Sequence, residues 1–305
     1  MPISENMGGA RRHLAAALVV LAGAFPAGAT VAGGLDSPVL QFHSYQPAAP
    51  RDTASVFAGL SFWKGDLDKA RSAWKKGRFV AARKAFERAW KKKGSLVAAW
   101  YLGHIYRLGR GVRADDEKAF WYYRQVALAY DPDISSRKRL LMTVDALVRV
   151  AGYYRTGIGK AHKKRDPRRA WRLYSIAAGH GFPAAFYGLG VIALEGQGMK
   201  RRPRQAIGWL MKAARLRYAP AAARLGDLAW NGLKGHVRKD PVAALSWYMV
   251  AASQTRPDIH PRIFDRLDKL QAALSDKERK KAGEMSRRFV AMMQNPRKGT
   301  VAAAQ

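Results

Sequence analysis

The feature that most constrains the fold of this chain is an internal repeat. Four segments follow one plan: a helix of small residues with a glycine at a fixed point, a glycine-rich loop, a charged segment and a second helix with aromatic residues. The segments are residues 98–127, 146–181, 183–217 and 220–252. The marker glycines are Gly103, Gly152, Gly190 and Gly226, spaced 49, 38 and 36 residues apart. Such a period of paired helices predicts an all-α fold, an α/α superhelical solenoid.

The glycines have predicted structural roles. A glycine inside a helix costs about 1 kcal/mol relative to alanine, so each marker glycine needs a packing reason, which is the close approach of a neighbouring helix. Glycines that follow the first helix favour a left-handed helix end. These loop glycines are Gly109, Gly111, Gly157, Gly159, Gly196, Gly198, Gly232 and Gly235. Asp166-Pro167 and Asp240-Pro241 are typical of a helix start, with aspartate as the N-cap and proline in the first turn.

The second helix of each repeat carries a tryptophan near its start, and a small residue one turn later leaves room for it. The tryptophans are Trp121, Trp171, Trp209 and Trp247. We expect them to pack within the stack of helices. Aromatic residues also alternate with arginines at Tyr153-Tyr154, as in surfaces that stack on nucleic-acid bases, but a core position in the repeat is the favoured interpretation.

The repeat is similar to a known family. Residues 99–122 resemble the Sel1-like repeat nearly in full, at Ala99, Leu102, Gly103, Tyr106, Gly109, Gly111, Val112, Asp115, Lys118, Ala119, Trp121 and Tyr122. The resemblance implies a fold related to tetratricopeptide repeats, an α/α superhelix that mediates protein–protein contacts. Residues 66–94 are interpreted as a degenerate first pair with its turn at Gly77, so that the predicted solenoid spans residues 61–257.

The N-terminal segment indicates secretion. Arg11 and Arg12 precede an apolar run, Leu14–Phe25, which small residues follow. This order predicts a signal peptide over residues 1–29, cleaved after Ala29. A twin-arginine signal matches the segment weakly, and a buried N-terminal helix fits poorly because the run is apolar all round. The run is also shorter than the roughly 20 residues that span a bilayer.

Two further segments flank the repeats. Residues 30–60 mix Gly, Pro, Ala and Ser without periodicity and are interpreted as a flexible linker. Residues 258–295 predict two helices that form a C-terminal helical cap, with Ser275 and Glu278 as a capping box. Residues 296–305 are predicted to be a disordered tail.

The layout of the whole chain resembles that of the periplasmic exopolysaccharide regulators of rhizobia, the ExoR family. The shared features are a signal peptide, a degenerate first pair, Sel1-like repeats that include the run at 151–158, and a helical cap that ends near residue 295. This resemblance implies a periplasmic protein that holds a membrane sensor histidine kinase inactive by binding its extracytoplasmic domain.

The charge of the chain directs attention to anionic partners. The 55 Lys and Arg residues against 22 Asp and Glu give a net charge of +33. Basic residues recur in the loop between the paired helices of three successive repeats, at 160–169, 199–204 and 236–240, whereas 113–117 is net negative in the first repeat. We call the set Lys163, Lys164, Arg165, Arg201, Arg202, Arg238 and Lys239 the basic ridge. It is either a solvated face or a surface for an anionic membrane, polysaccharide or acidic protein.

The sequence offers little for catalysis. It contains no cysteine, so no thiol chemistry and no disulfide is available. The seven histidines have no zinc-site spacing, and His104 is interpreted as an ordinary packed or surface residue. The run 157–162 lacks the first glycine and the Ser/Thr of a phosphate-binding loop. We therefore expect a non-enzymatic protein with no cofactor and no metal. A secreted chain also argues against a nucleic-acid partner and for a protein partner or an envelope surface.

Overall fold

The computed structural model describes residues 64–159 and 164–294. The predicted signal peptide with its cleavage at Ala29, the linker 30–60, the tail 296–305 and Lys163 of the basic ridge lie outside the described residues. Over the described part of the chain the structure consists of helices, and the one β-type interaction recorded there is an isolated antiparallel bridge between Leu233 and Val237. The predicted all-α class is therefore confirmed.

The helices fall into two compact units, divided between Phe182 and Pro183. The first unit contains six helices: α1 (Lys64–Lys75), α2 (Phe79–Lys93), α3 (Leu96–Leu108), α4 (Asp116–Leu128), α5 (Arg137–Thr156) and α6 (Pro167–Gly179). The second contains α7 (Pro183–Glu195), α8 (Pro203–Arg215), α9 (Ala219–Asn231), α10 (Pro241–Ser253), α11 (Pro261–Ala272) and α12 (Asp276–Gln294). In each unit, successive helices pack against one another as pairs.

Local sequence chemistry sets where the helices begin. The side chains of Asp115, Asp166 and Asp240 accept hydrogen bonds from the third backbone N–H beyond them, which confirms the predicted caps at Asp166 and Asp240. At α12, Glu278 accepts from the backbone N–H and the hydroxyl of Ser275, so the predicted capping box is also confirmed. These caps satisfy N–H groups that the first helical turn leaves without partners.

The last two helices, α11 and α12, occupy the segment predicted as a cap and pack on α10. The indole of Trp247 on α10 stacks on Phe289 of α12, with ring centroids 4.5 Å apart and an interplanar angle of 20°. Trp247 is buried by this contact. An aromatic pair of this kind contributes about 0.5–1.5 kcal/mol beyond its buried area.

Candidate interaction surfaces

A recurring hydrogen bond fixes the register of the repeats. The backbone N–H at the N-cap of each second helix donates to a carbonyl of the preceding first helix, at 2.7–2.9 Å. The donor and acceptor pairs are Asp115 with Tyr106, Asp166 with Tyr154, Arg202 with Ala193, and Asp240 with Ala229. Three of these acceptors lie three residues after a marker glycine. In the second repeat, the residue three before Tyr154 is Ala151, so Gly152 was wrongly placed at the marker position.

The packing at the marker position explains the error. A Cβ atom added to Gly103, Gly190 or Gly226 would lie 2.6–2.9 Å from a side chain of the paired helix, a distance that real Cβ atoms do not show. A Cβ on Gly152 would meet only the Tyr174 hydroxyl, at 3.7 Å. Ala151, which is fully buried, shows that a methyl group fits at the marker position of this repeat. The predicted close approach therefore holds at three positions and not at Gly152.

The side chain that fills the marker position is not the tryptophan. Gly103 faces Tyr123, Gly190 faces Leu210 and Gly226 faces Tyr248. Of the four tryptophans expected to pack alike, Trp247 is buried and Trp121, Trp171 and Trp209 are only half-buried. Relative to the first buried alanine of its helix, Trp121 lies two residues later and Trp171 one residue later, whereas Trp209 and Trp247 both lie three residues later. The four tryptophans therefore do not share one packing position, and two that share a position differ in burial.

Two residues of the basic ridge pack against loop glycines. All eight predicted loop glycines have positive φ, namely Gly109, Gly111, Gly157, Gly159, Gly196, Gly198, Gly232 and Gly235. The Arg201 side chain crosses Gly196 so closely that a Cβ there would lie 2.8 Å from Arg201 Cγ. Lys239 crosses Gly232 in the same way, at 2.9 Å from its Cγ. These basic residues therefore pack their aliphatic stems on the loop, while the residues themselves remain exposed.

The described members of the basic ridge are all exposed, namely Lys164, Arg165, Arg201, Arg202, Arg238 and Lys239. Lys164 and Arg165 belong to the first unit, and the other four to the second. The Lys164 ammonium lies 5.2 Å from the centre of the Phe120 ring. In the net-negative loop of the first repeat, Asp115 caps α4 and Asp116 accepts a hydrogen bond from Tyr153 at 3.0 Å.

A polar and aromatic cluster lies on α3 and α5 of the first unit. Asp145 accepts a hydrogen bond from the Trp100 indole at 2.8 Å and from Arg149 at 3.2 Å. His104 Nε2 lies 3.8 Å from the same carboxylate, and its ring contacts those of Trp100 and Tyr123. We call Trp100, His104, Asp145 and Arg149 the Asp145 cluster. The side chains of Asp145 and Arg149 are 21% and 35% exposed, so a partner can reach them.

Burial controls the protonation of this cluster. Desolvation, aided by the nearby Arg149 cation, lowers the pKa of His104 to about 4, although the Asp145 carboxylate favours the protonated form. Burial also raises the pKa of Tyr123 to about 12. At neutral pH the imidazole and the phenol are therefore uncharged. Of the two expected environments of His104, packed or on the surface, the structure shows the packed one.

The second unit carries a cluster at the corresponding position of its last repeat. Asp227 directly follows Gly226, as His104 directly follows Gly103. Its carboxylate accepts a hydrogen bond from the Tyr248 hydroxyl at 2.7 Å. Burial, together with this hydrogen bond, raises the pKa of Tyr248. Arg224 bonds Glu195 at 2.9 Å and lies 4.0 Å from Asp227. Sequence reasoning missed both clusters, although acidic residues are rare in the first helices of the repeats and could have marked them.

Within the described ranges, no group of three or more His, Asp and Glu side chains could hold a metal ion. No described helix is both long enough and apolar enough to cross a membrane. Aromatic rings beside arginine and carboxylate groups on a partly exposed surface are typical of protein-binding sites, where Trp, Tyr and Arg contribute most of the affinity.

Comparison with known proteins agrees with this architecture. The family model of the Sel1 repeat matches residues 96–131, 144–182, 183–218 and 219–255. The chain is thus a protein with four Sel1 repeats, and the predicted repeat family is confirmed. Among solved structures, it is similar to a Sel1 repeat protein from Oxalobacter formigenes, with 21% identity and a TM-score of 0.48, over 67% of this chain and 74% of that one.

Two relatives have names that state a function. A protein of Rhizobium leguminosarum bv. viciae is 29% identical over 189 residues, which cover 60% of this chain and 69% of the relative. A protein of Rhizobium meliloti (strain 1021) is 29% identical over 217 residues, which cover 70% of this chain and 77% of the relative. Both relatives carry the name exopolysaccharide production negative regulator.

Proposed function

We propose that this chain is a regulatory protein that acts by binding another protein and has no catalytic role. The observation that carries the proposal is the combination of four Sel1 repeats with a similarity that extends over most of the length of two exopolysaccharide production negative regulators. The described surface supports it, because its polar clusters are built from aromatic, arginine and carboxylate groups that suit recognition.

The partner that we propose is the extracytoplasmic sensing domain of a membrane sensor histidine kinase, held inactive by this chain in the periplasm. The Asp145 cluster provides a partly exposed indole and an oriented arginine–carboxylate pair, which favour a specific contact. The basic ridge would steer an acidic surface toward the chain. Steering of this kind raises the association rate more than the final affinity and weakens with salt.

A second candidate function rests on the basic ridge alone. Its described members are exposed, and at Arg201 and Lys239 the stem packs on a loop glycine, which presents the charge at a fixed place. A ridge of this kind could bind an anionic polysaccharide or a membrane surface without any protein partner.

One experiment separates the two functions. Cells would express the wild-type chain, a Trp100→Ala variant, or a ridge variant with Lys164, Arg201, Arg202 and Arg238 changed to Glu. The chain would then be crosslinked to its neighbours in the cell envelope, and the captured proteins identified. The Trp209→Ala variant is the matched control, because it removes a half-buried tryptophan of the second unit. We expect wild type, control and ridge variant to recover a sensor kinase, the last at a reduced rate, and Trp100→Ala to recover about tenfold less or worse.

Two outcomes would count against the proposed function. If no sensor kinase is recovered with the wild-type chain even at low salt, the partner is wrong. If the ridge variant alone abolishes recovery, and also abolishes binding to a soluble acidic polysaccharide, the second candidate function takes its place.

A further inference from the structure

The first helix pair carries a charge surplus that neither the repeats nor the basic ridge explains. Residues 64–94 contain twelve Lys and Arg residues and only three acidic residues. Glu87, the only acid in α2, accepts hydrogen bonds from Arg83 at 2.7 Å and from the Tyr106 hydroxyl at 2.9 Å, so it is already engaged inside the unit. Glu87 is therefore not available to neutralise the exposed cations of α2.

Four basic residues of α2 form one exposed face, which we call the lysine face: Lys84, Arg88, Lys91 and Lys92. They recur at intervals of four, three and one residues, so they project from the same side of the helix. The opposite side is buried through Ala82, Ala85, Phe86 and Ala89. Val80, at the start of the lysine face, is 51% exposed. The last residue of α1, Lys75, and the turn before α2, with Lys76 and Arg78, add three more exposed cations.

Aromatic side chains flank the lysine face. The indole of Trp90 contacts Trp121 of α4 at a centroid distance of 5.7 Å and Tyr122 at 6.2 Å, both nearly perpendicular. All three rings are half-buried. Leu128, seven residues after Trp121 on the same side of α4, is 42% exposed. The indole rings of Trp90 and Trp121 thus lie beside the end of the lysine face, where Trp90 directly precedes Lys91. We call Trp90, Trp121 and Leu128 the aromatic flank.

We propose that the lysine face and the aromatic flank form a docking surface for a membrane that contains anionic phospholipid. Lysine suits the diffuse negative potential of lipid head groups, because its ammonium is a mobile point charge on a long apolar stem. Tryptophan favours the boundary between head groups and acyl chains. The basic ridge contains four arginines among its seven residues, whereas three of the four cations of the lysine face are lysines.

The composition of the surface favours lipid over an acidic polysaccharide or an acidic protein. A polysaccharide carboxylate is best recognised by the planar fork of arginine, whereas three of the four cations here are lysines. An acidic protein would need the tryptophans to fill fitted pockets, whereas a lipid interface accepts them at the rim of the charged face. The inference goes beyond the proposed function, since it needs no protein partner.

The test is the binding of the purified chain to vesicles of pure phosphatidylcholine and of an equimolar mixture with phosphatidylglycerol. The first variant changes Lys84, Lys91 and Lys92 to Gln. The matched control changes Lys277, Lys280 and Lys281 to Gln, which removes three exposed lysines from α12. Each lysine near an anionic surface is worth about a fivefold change in affinity, so the α2 variant should lose roughly a hundredfold and the control less than about threefold.

Two further variants test separately the positive charge of the lysine face and the indole of Trp90. Changing the same three α2 lysines to Arg should retain binding to the mixed vesicles, which also shows that α2 still folds. Trp90→Phe should weaken binding several-fold while leaving its dependence on salt unchanged, because the indole contributes interfacial contact and no charge.

Several results would overturn the proposal. They are equal losses for the α2 variant and the α12 control, undiminished binding of the α2 variant, or no preference of the wild-type chain for the anionic vesicles. A different pair of results would assign the surface to polysaccharide. In that case, binding of a soluble acidic polysaccharide would depend on the α2 lysines, and Trp90→Phe would have no effect on vesicle binding. Recovery of a sensor kinase by the α2 variant would leave the proposed function intact in every case.

Discussion

At the scale of single residues, the marker position of the repeat shows how one missing methyl group sets the spacing of a helix pair. At Gly226 an added Cβ would lie 2.6 Å from Tyr248 Cδ2 and 3.3 Å from the carbonyl oxygen of Ala244. The Tyr248 ring cannot move away freely, because its hydroxyl is bonded to Asp227. The glycine therefore allows both the ring contact and the close approach of the α10 backbone.

Glycine-to-alanine substitutions at Gly226 and Gly152 should have opposite effects. Alanine gains up to about 1 kcal/mol of helix propensity at either site. At Gly226 the overlap with Tyr248 should cost about 1–3 kcal/mol and outweigh that gain, so the melting temperature should fall. At Gly152, where the nearest atom lies 3.7 Å away, the gain is unopposed and the melting temperature should rise. Thermal unfolding followed by circular dichroism measures both.

The two variants serve as controls for each other, because they share the same chemical change in the middle of a helix. A fall in melting temperature for both would mean that Gly152 has a packing role that its surroundings do not show. A rise for both would mean that Tyr248 adapts at little cost, and the steric account of the marker glycine would be wrong.

At the scale of the helices, His104 lies where three elements of the first unit meet. It is on α3, its ring contacts Tyr123 of α4, and its Nε2 atom approaches Asp145 of α5. The imidazole side chain is only 13% exposed. Burial makes the protonated ring costly, and the cation would also lie near Arg149, which is why the pKa of His104 is lowered to about 4.

The free energy of unfolding should therefore fall between pH 7 and pH 5. The unfolded chain takes up the proton near pH 6.5 and the folded chain only near pH 4, so acidification through this window favours the unfolded state. The loss attributable to His104 is on the order of 2 kcal/mol between about pH 7 and about pH 5. Denaturant titrations of wild type and His104→Gln measure it. The variant should have a flatter pH profile, and equal slopes would contradict the assigned pKa.

The helix pairs and their caps could be predicted from the sequence because their signals are local. Asp240 next to Pro241 is a complete helix start within two residues, and a loop glycine with positive φ has few substitutes. The register of the second repeat was missed because Ala151 and Gly152 are adjacent small residues. The six-residue interval from the marker to the loop glycine, common to Gly103, Gly190 and Gly226, would have distinguished them.

The candidate surfaces were harder to predict because they combine residues from several helices. The Asp145 cluster joins side chains 45 residues apart, Trp100 and Asp145, and nothing near Trp100 in the sequence indicates its partner. The lysine face of α2 was visible as a run of basic residues. Its aromatic flank was not, because Trp121 comes from α4 and was expected to be buried.

At the scale of the whole molecule, the few acidic residues are largely used for internal structure. Some cap helices, as Asp115, Asp166 and Asp240 do, and others such as Glu87, Asp145 and Asp227 accept hydrogen bonds from arginine, tyrosine or tryptophan. With 55 Lys and Arg against 22 Asp and Glu, most cations have no acidic residue to pair with. The folded chain therefore concentrates like charge that the expanded chain would spread out.

Salt should stabilise the folded chain for this reason. Raising the ionic strength from about 0.01 M to about 1 M shortens the screening length from about 30 Å to about 3 Å, which removes most of the repulsion among exposed cations. The same salt weakens the ion pairs, but exposed pairs contribute only about 0–1 kcal/mol each, and the partly buried Arg149–Asp145 pair is screened less. Repulsion should dominate, so the melting temperature should rise with sodium chloride.

The variant with Lys277, Lys280 and Lys281 changed to Gln should show a smaller rise, because it has three fewer cations to screen. A melting temperature that falls with salt would mean that the internal ion pairs outweigh the surplus of positive charge.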